Sequence, residues 1–190
     1  MPYQQLRQYF NQLTPIAPEE WNDFTQKLRV IQKTSGAQLL QEGQVCDFVC
    51  YINHGLVRAY ELVDGIEVNR TFFMQDFFAT EYQSFLQREP SKEYLEVIDD
   101  AELVVIDYQH LQDMYRKYKS FERLGRILAE SLYVRLRGKV ERFLINSPEE
   151  RYLLLLKDHP DYLDKIPHYH IASYLGITPQ SLSRIRKRLQ

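Results

Sequence analysis

Residues 167–190 read PHYHIASYLGITPQSLSRIRKRLQ, and their spacing decides what the rest of the chain is for. Apolar or small residues fall at Ile171, Ala172 and Leu175, then at Gly176 and Ile177, then at Leu182 and Ile185. That pattern predicts two short helices joined by a tight turn, a helix-turn-helix. Ala172 leaves room for a close helix crossing, and Gly176 can adopt the positive φ that the turn needs. Thr178 suits the N-cap of the second helix and Pro179 its first position. Within residues 179–189, helical periodicity puts Leu182, Ile185 and Leu189 on one side. Gln180, Ser181, Ser183, Arg184, Lys187 and Arg188 fall on or beside the other. Such a face matches base edges and phosphates: Arg pairs with guanine, Gln with adenine, Ser and Lys with the backbone. A lone basic amphipathic helix reads as solvated surface, but the complete turn pattern favours a nucleic-acid interface.

Just upstream, Asn146-Ser147-Pro148 makes a hinge. Ser147 can cap a helix over residues 149–158, with Glu150 as its capping-box partner. The run 153–156, all leucine, is the expected buried part of that helix, which stops at His159-Pro160. Ile166-Pro167 is a further break before the helix-turn-helix. Residues 120–146 predict a helix about 40 Å long. Its apolar residues cover more than one stripe, so a buried monomer helix and a dimer seam both fit.

Towards the N-terminus, residues 3–13 and 18–29 predict two helices around Thr14-Pro15-Ile16-Ala17-Pro18. Short extended runs follow at 30–33, 38–40, 48–52, 56–62, 67–73, 94–97 and 103–106. The dividers between them include Asn53-His54-Gly55, Asp64-Gly65 and Asp99-Asp100. Asp64-Gly65 is a two-residue hairpin signal. Many short strands at this spacing predict an antiparallel, jelly-roll-like sandwich or a barrel-like β-roll rather than a parallel sheet, so the fold class is α+β.

The chain has 190 residues, 44% hydrophobic and 26% charged, which suits a soluble protein of one or two domains. It carries no apolar run of membrane-spanning length, the N-terminus is too polar for a signal peptide, and two cysteines build no secreted scaffold. The expected compartment is the cytoplasm. The net charge of −2 is uneven. Residues 148–190 hold seven Lys/Arg against five Asp/Glu, and residues 1–147 hold seventeen against twenty-one. Positive charge therefore gathers where phosphate contact is expected, and the acidic remainder reads as a separate module.

In order, these parts are a β-roll, a long helix, a proline hinge and a terminal helix-turn-helix. With Glu149-Glu150-Arg151-Tyr152, Ile171-Ala172-Ser173-Tyr174-Leu175-Gly176-Ile177-Thr178-Pro179 and Leu182-Ser183-Arg184-Ile185-Arg186, the chain resembles the Crp/Fnr family of bacterial transcription regulators. Leu40-Gln41-Glu42-Gly43, Tyr51-Ile52-Asn53-His54-Gly55-Leu56-Val57-Arg58 and Asp64-Gly65 look like the family's cyclic-nucleotide-binding-type roll. The resemblance implies a sensor roll over residues 1–119, a dimerisation helix over 120–146 and a DNA-binding domain over 147–190. It implies a homodimer on double-stranded DNA, with Leu124, Leu128 and Leu132 in the seam. RNA polymerase is a further partner the family allows. By matching positions, Thr178 would contact phosphate, and Gln180, Ser181 and Arg184 would face bases.

Two departures from the family matter. Where nucleotide-binding members carry an Arg-Ser pair for the cyclic phosphate, this chain has Ser91-Lys92, although Glu81 matches the ribose-binding acid. Lysine does not replace a guanidinium fork, so binding of cyclic AMP in the usual way is not expected. Glu81, Tyr82, Phe72, Phe85 and Lys92 mark the corresponding effector region, whose effector is unknown; its aromatics also suit plain core. The second departure is that a wing hairpin after the recognition helix is not expected.

Cys46, Cys50 and His54 are spaced by four, but on a strand Cys46, Phe48, Cys50 and Ile52 share one face, which reads as core rather than metal site. Two cysteines cannot carry the four-cysteine iron–sulfur cluster of the oxygen-sensing members. His168-Tyr169-His170 begins a helix, and His54 with His110 makes no cupin-type ligand set. No cofactor or enzymatic motif is found. The competing reading is a ligand-binding or protein-interaction roll whose helix-turn-helix is vestigial.

Overall fold

The computed structural model describes residues 2–189. The chain divides into two compact units: residues 2–59 with 72–130, and residues 60–71 with 131–189.

The first unit holds the β-roll. After α1 (Gln4–Leu13) and α2 (Pro18–Thr25) come β1 (Arg29–Lys33), β2 (Gln38–Leu40), β3 (Phe48–Val63), β4 (Ile66–Phe73), β5 (Phe78–Ala79), the short α3 (Tyr82–Gln87) and β6 (Tyr94–Asp107). The sheet order is β1-β6-β3-β4, with β2 on β6 and β5 on β3. The pairings of β6 with β1 and β2, and of β3 with β5, are antiparallel. α4 (Tyr108–Lys117) follows, then the long α5 (Lys119–Ile145).

β6 shows why the roll is stable. Leu103 and Val105 belong to one core with Cys50, Ile52, Val57, Leu95 and Val97, while Val104 and Ile106 belong to a second core with Leu6, Phe10, Trp21, Phe24, Met114, Phe121 and Leu124. Alternate residues of one strand thus serve opposite faces, and the run 103–106 is apolar throughout because both faces are covered. The second core is aromatic, with Phe24 and Phe121 at 4.8 Å between centroids and Phe10 stacked on Phe78 at 5.9 Å.

Two expected dividers prove to be interior strand. Residues 53–55 lie within β3 and residues 99–100 within β6. Before Gly55, Cys50 and Ile52 face the first core; after it, Val57 and Ala59 do. The alternation slips by one residue at Gly55, which has φ +99°. A Cβ there would lie 2.5 Å from the Asp100 carbonyl oxygen and 2.6 Å from Ala101 Cα. Gly55 is therefore a bulge that bends a continuous strand, and its broken alternation mimics a turn. Helix α2 also ends at Thr25 rather than 29, because residues 29–33 pair with β6. The hairpin signal at Asp64-Gly65 is correct: both residues have positive φ, as a two-residue turn of the I′ kind requires.

The second unit contains the hairpin tip, the outer half of α5, α6 (Pro148–Asp158), α7 (Tyr162–Lys165), α8 (His168–Tyr174) and α9 (Pro179–Leu189). Ser147 caps α6, and the Glu150 side chain returns to the Ser147 N–H at 2.7 Å. That bond holds the Glu150 carboxyl below its usual range. Tyr152 and Leu155 are the buried residues of α6, whereas Leu153 is exposed; one helical face, not the whole leucine run, meets the core. Among the described residues no helix is long and apolar enough to cross a membrane.

Candidate nucleic-acid interface

Helix α8 buries Ile171 and Ala172 completely and is followed by a turn with a complete bonding pattern. The Gly176 N–H donates to the Ser173 carbonyl and the Ile177 N–H to the Ala172 carbonyl, both at 3.0 Å. With Gly176 at φ +69°, this is a Schellman ending, which satisfies the last carbonyls of α8 and redirects the chain. A Cβ at Gly176 would lie 3.2 Å from Phe143. Thr178 then caps α9, its hydroxyl accepting from the Ser181 N–H at 3.2 Å.

Leu182 and Ile185 of α9 are buried, and Ala172 allows the close crossing of α8. Leu189 shares their side by periodicity but is 43% exposed, because it lies one turn beyond the packed stretch. Thr178, Gln180, Ser183, Arg184, Lys187 and Arg188 are exposed, and Ser181 is half-buried. Three of these side chains form a row: the Thr178 hydroxyl donates to Ser181 Oγ at 3.0 Å, and Arg184 Nη2 donates to the same oxygen at 3.2 Å. Arg188 pairs with Glu149 of α6 and Arg186 with His168 of α8, so these two basic groups have partners within the chain. A depression of about 280 Å³ between His168, Pro179, Leu182, Ser183, Arg186 and Lys187 opens beside the exposed face.

Arg151 explains the Glu-Glu-Arg-Tyr word at the hinge. Its guanidinium donates to the Leu175 carbonyl through Nε (3.2 Å) and Nη2 (2.9 Å) and to the Asn146 carbonyl through Nη1 (2.9 Å). It also lies 4.8 Å from the Phe143 ring centroid. One side chain thus links the end of α5, the start of α6 and the turn after α8, and spacing alone carried no signal for that role.

The other expected site residues divide by unit. In the roll, the Glu81 carboxylate caps α3, accepting from Gln83 N (3.1 Å) and Ser84 N (2.7 Å). Phe72 and Phe85 are buried, Tyr82 packs against the first core, and Lys92 is exposed. The Ser91 hydroxyl bonds the Glu93 backbone on both sides at 2.9 Å. Arg88, which was not singled out, lies over the Tyr108 ring at 4.1 Å and donates to the Cys46 carbonyl at 2.8 Å. Cys46 and Cys50 are core residues, as read, and burial pushes the Cys50 thiol up to about 12; His54 is exposed. Another residue not singled out is Arg58, 3% exposed, whose Nε donates to Glu96 at 2.6 Å.

Along α5, Leu124 fills its own chain's second core at 3% exposure, which leaves it no surface for a partner helix. Leu128 packs partly against that core and Leu132 is half-buried. Exposed apolar surface begins further along, at Tyr133, Val134, Leu136 and Val140.

Residues 31–118 match the cyclic nucleotide-binding domain family. A solved structure assigned as a transcriptional regulator of the Crp/Fnr family, from Eubacterium rectale, superposes with a TM-score of 0.73 at 15% identity, over 92% of this chain and 84% of that one. The chain shares the fold of that structure. The c-di-GMP-responsive global regulator CLP of Xanthomonas campestris aligns over 92% of both chains, with a TM-score of 0.70 and 17% identity. FixK2 from Bradyrhizobium japonicum aligns over 85% of this chain and 84% of its own, with a TM-score of 0.70 and 19% identity. No curated protein sequence matches the chain. Within this fold, the matched domain carries the first core, and α8 and α9 lie beyond it.

Proposed function

We propose that the chain is a dimeric, sequence-specific DNA-binding transcription regulator of the Crp/Fnr type with no catalytic role. The observation that carries this is the Thr178–Ser181–Arg184 row, exposed at Thr178 and Arg184, on a helix whose opposite side is packed onto α8. Gln180, Ser181 and Arg184 read base edges in the major groove, while Thr178, Ser183, Lys187 and Arg188 serve phosphates. Residues 1–119 act as sensor, 120–146 as dimer helix and 147–190 as DNA reader. The dimer seam runs through Leu128 and Leu132 into the exposed apolar residues 133–140, which would leave two recognition helices for half-sites one helical turn apart.

The roll does not take cyclic AMP in the usual manner. Glu81 is occupied as a helix cap, and the Ser91 hydroxyl is bound to the Glu93 backbone. Calorimetry with cyclic AMP is expected to show no micromolar binding, and a micromolar constant would overturn this part. The decisive experiment for DNA is selection from a random duplex pool with the full chain. Enrichment of a two-fold-related site is expected, and no enrichment would sink the reading.

A further inference from the structure

The polar contacts that hold α8 to the hairpin tip have no part in reading bases, yet two of their side chains are buried. Ser173 of α8 lies against β4, the strand at the end of the sheet order. Its hydroxyl donates to the Glu67 carbonyl at 2.9 Å and accepts from the Asn69 N–H at 2.9 Å. A carbonyl at one residue and an N–H two residues on point to the same edge of a strand, so the hydroxyl supplies what a neighbouring strand would supply there. Beside it the Asn69 amide, 4% exposed, donates to His170 Nδ1 at 3.2 Å, and His170 is 6% exposed. Lys139 of α5 bonds the Arg70 carbonyl and lies 4.4 Å from the Tyr174 ring centroid. Three residues of β4, at 67, 69 and 70, are therefore engaged by α8 or α5.

These contacts use residues 170, 173 and 174, while Thr178, Gln180, Ser183, Arg184 and Lys187 stay exposed. The hairpin therefore does not cover the reading face.

We infer that Ser173, with Asn69 and His170, is a positioning residue: it fastens the helix-turn-helix to the β3–β4 hairpin so that the reading helix is held in a fixed orientation. The inference rests on the proposed DNA binding. Its consequence follows from multivalency. For a site with two half-sites, the second reading helix engages at an effective concentration that a fixed orientation raises, whereas a single half-site gains nothing from it. The hairpin is also the continuation of β3 and β4 from the roll, so a change of strand position there reaches α8 through these bonds.

The test uses the full-length protein, a duplex recovered by the wild type from a random pool, and that duplex cut to one half-site. Ser173→Ala is expected to bind the two-half-site duplex about tenfold more weakly and the single half-site within about twofold of wild type. Ser173→Thr, which keeps the hydroxyl, is expected to restore the difference. Amide exchange at Asn69 is expected to speed up in Ser173→Ala while the Leu182 amide stays protected, which separates loosening of the clamp from unfolding of the reader. Equal losses on both duplexes, no loss on either, or unchanged Asn69 exchange would overturn the positioning role. Recovery of no duplex by the wild type would instead overturn the DNA-binding reading on which it depends.

Discussion

In the β-roll, Leu103 and Val105 are buried towards one core and Val104 and Ile106 towards another, so a single strand is covered on both faces. In the C-terminal unit, Ile171, Ala172 and Leu182 make an apolar contact, but much of what orients the helices is polar: the Arg151 guanidinium on Leu175 and Asn146, the Ser173 hydroxyl on β4 and the Asn69–His170 pair. Burial of apolar surface is non-directional and stabilises in proportion to area, whereas each hydrogen bond contributes about 1 kcal/mol net and fixes a direction. The roll is built for stability. The C-terminal unit is built for orientation.

The largest effect that would test this contrast is in the roll. Leu103→Ala is expected to cost about 3–4 kcal/mol in equilibrium unfolding, because a fully enclosed side chain leaves a cavity. A loss below about 1 kcal/mol would show that the two-sided packing of β6 does not dominate. The cysteines report the same enclosure, and thiol-labelling of the native protein should proceed only through unfolding. Because the Cys50 thiol is raised from 9.0 to about 12, its contribution is fully present below about pH 9 and is lost as the pH rises from there towards 12.

Next in size is the reading face. Arg184→Ala is expected to weaken binding by about 1–3 kcal/mol and relax preference at one base pair per half-site, with the melting of the protein unchanged. Uniform weakening across all sequences in a shift assay would make Arg184 a phosphate contact instead.

The cap of α6 comes third. Ser147→Ala is expected to cost about 1 kcal/mol, confined to the C-terminal unit and read by amide exchange in α6. The smallest effect is the pH dependence of that cap. The Glu150 carboxyl is lowered by the Ser147 N–H, so its stabilisation is present above the ordinary glutamate range and lost as the pH falls through the lowered value. The stability difference between wild type and Glu150→Gln should vanish in acid; a difference that persists there would assign the effect to something other than the carboxylate.

The helix-turn-helix was readable because its requirements are local. Gly176 takes φ +69°, Thr178 caps, and Leu182 and Ile185 are one turn apart, each following from a few neighbouring residues. The same holds for the Asp64-Gly65 turn and the Ser147–Glu150 capping box. Reading failed where a local signal had a non-local cause. Gly55 has the residue type of a turn, yet it is a bulge because Ala101 of β6 presses on it. Leu124 has the spacing of a seam, yet it lies inside its own chain's core.

What the sequence by itself determined is therefore the helix-turn-helix, the Asp64-Gly65 turn, the capping box of α6 and the polar side of α9, since propensity, capping and periodicity act over one or two turns of chain. Only the tertiary structure decided which stripe of α5 is left open and that Ser173 completes the edge of β4. These outcomes depend on pairs such as Ser173 with Glu67, or Arg151 with Leu175, whose partners meet only when distant segments pack. A hydroxyl or a guanidinium looks the same in sequence whether it faces water or a carbonyl; the fold supplies the carbonyl.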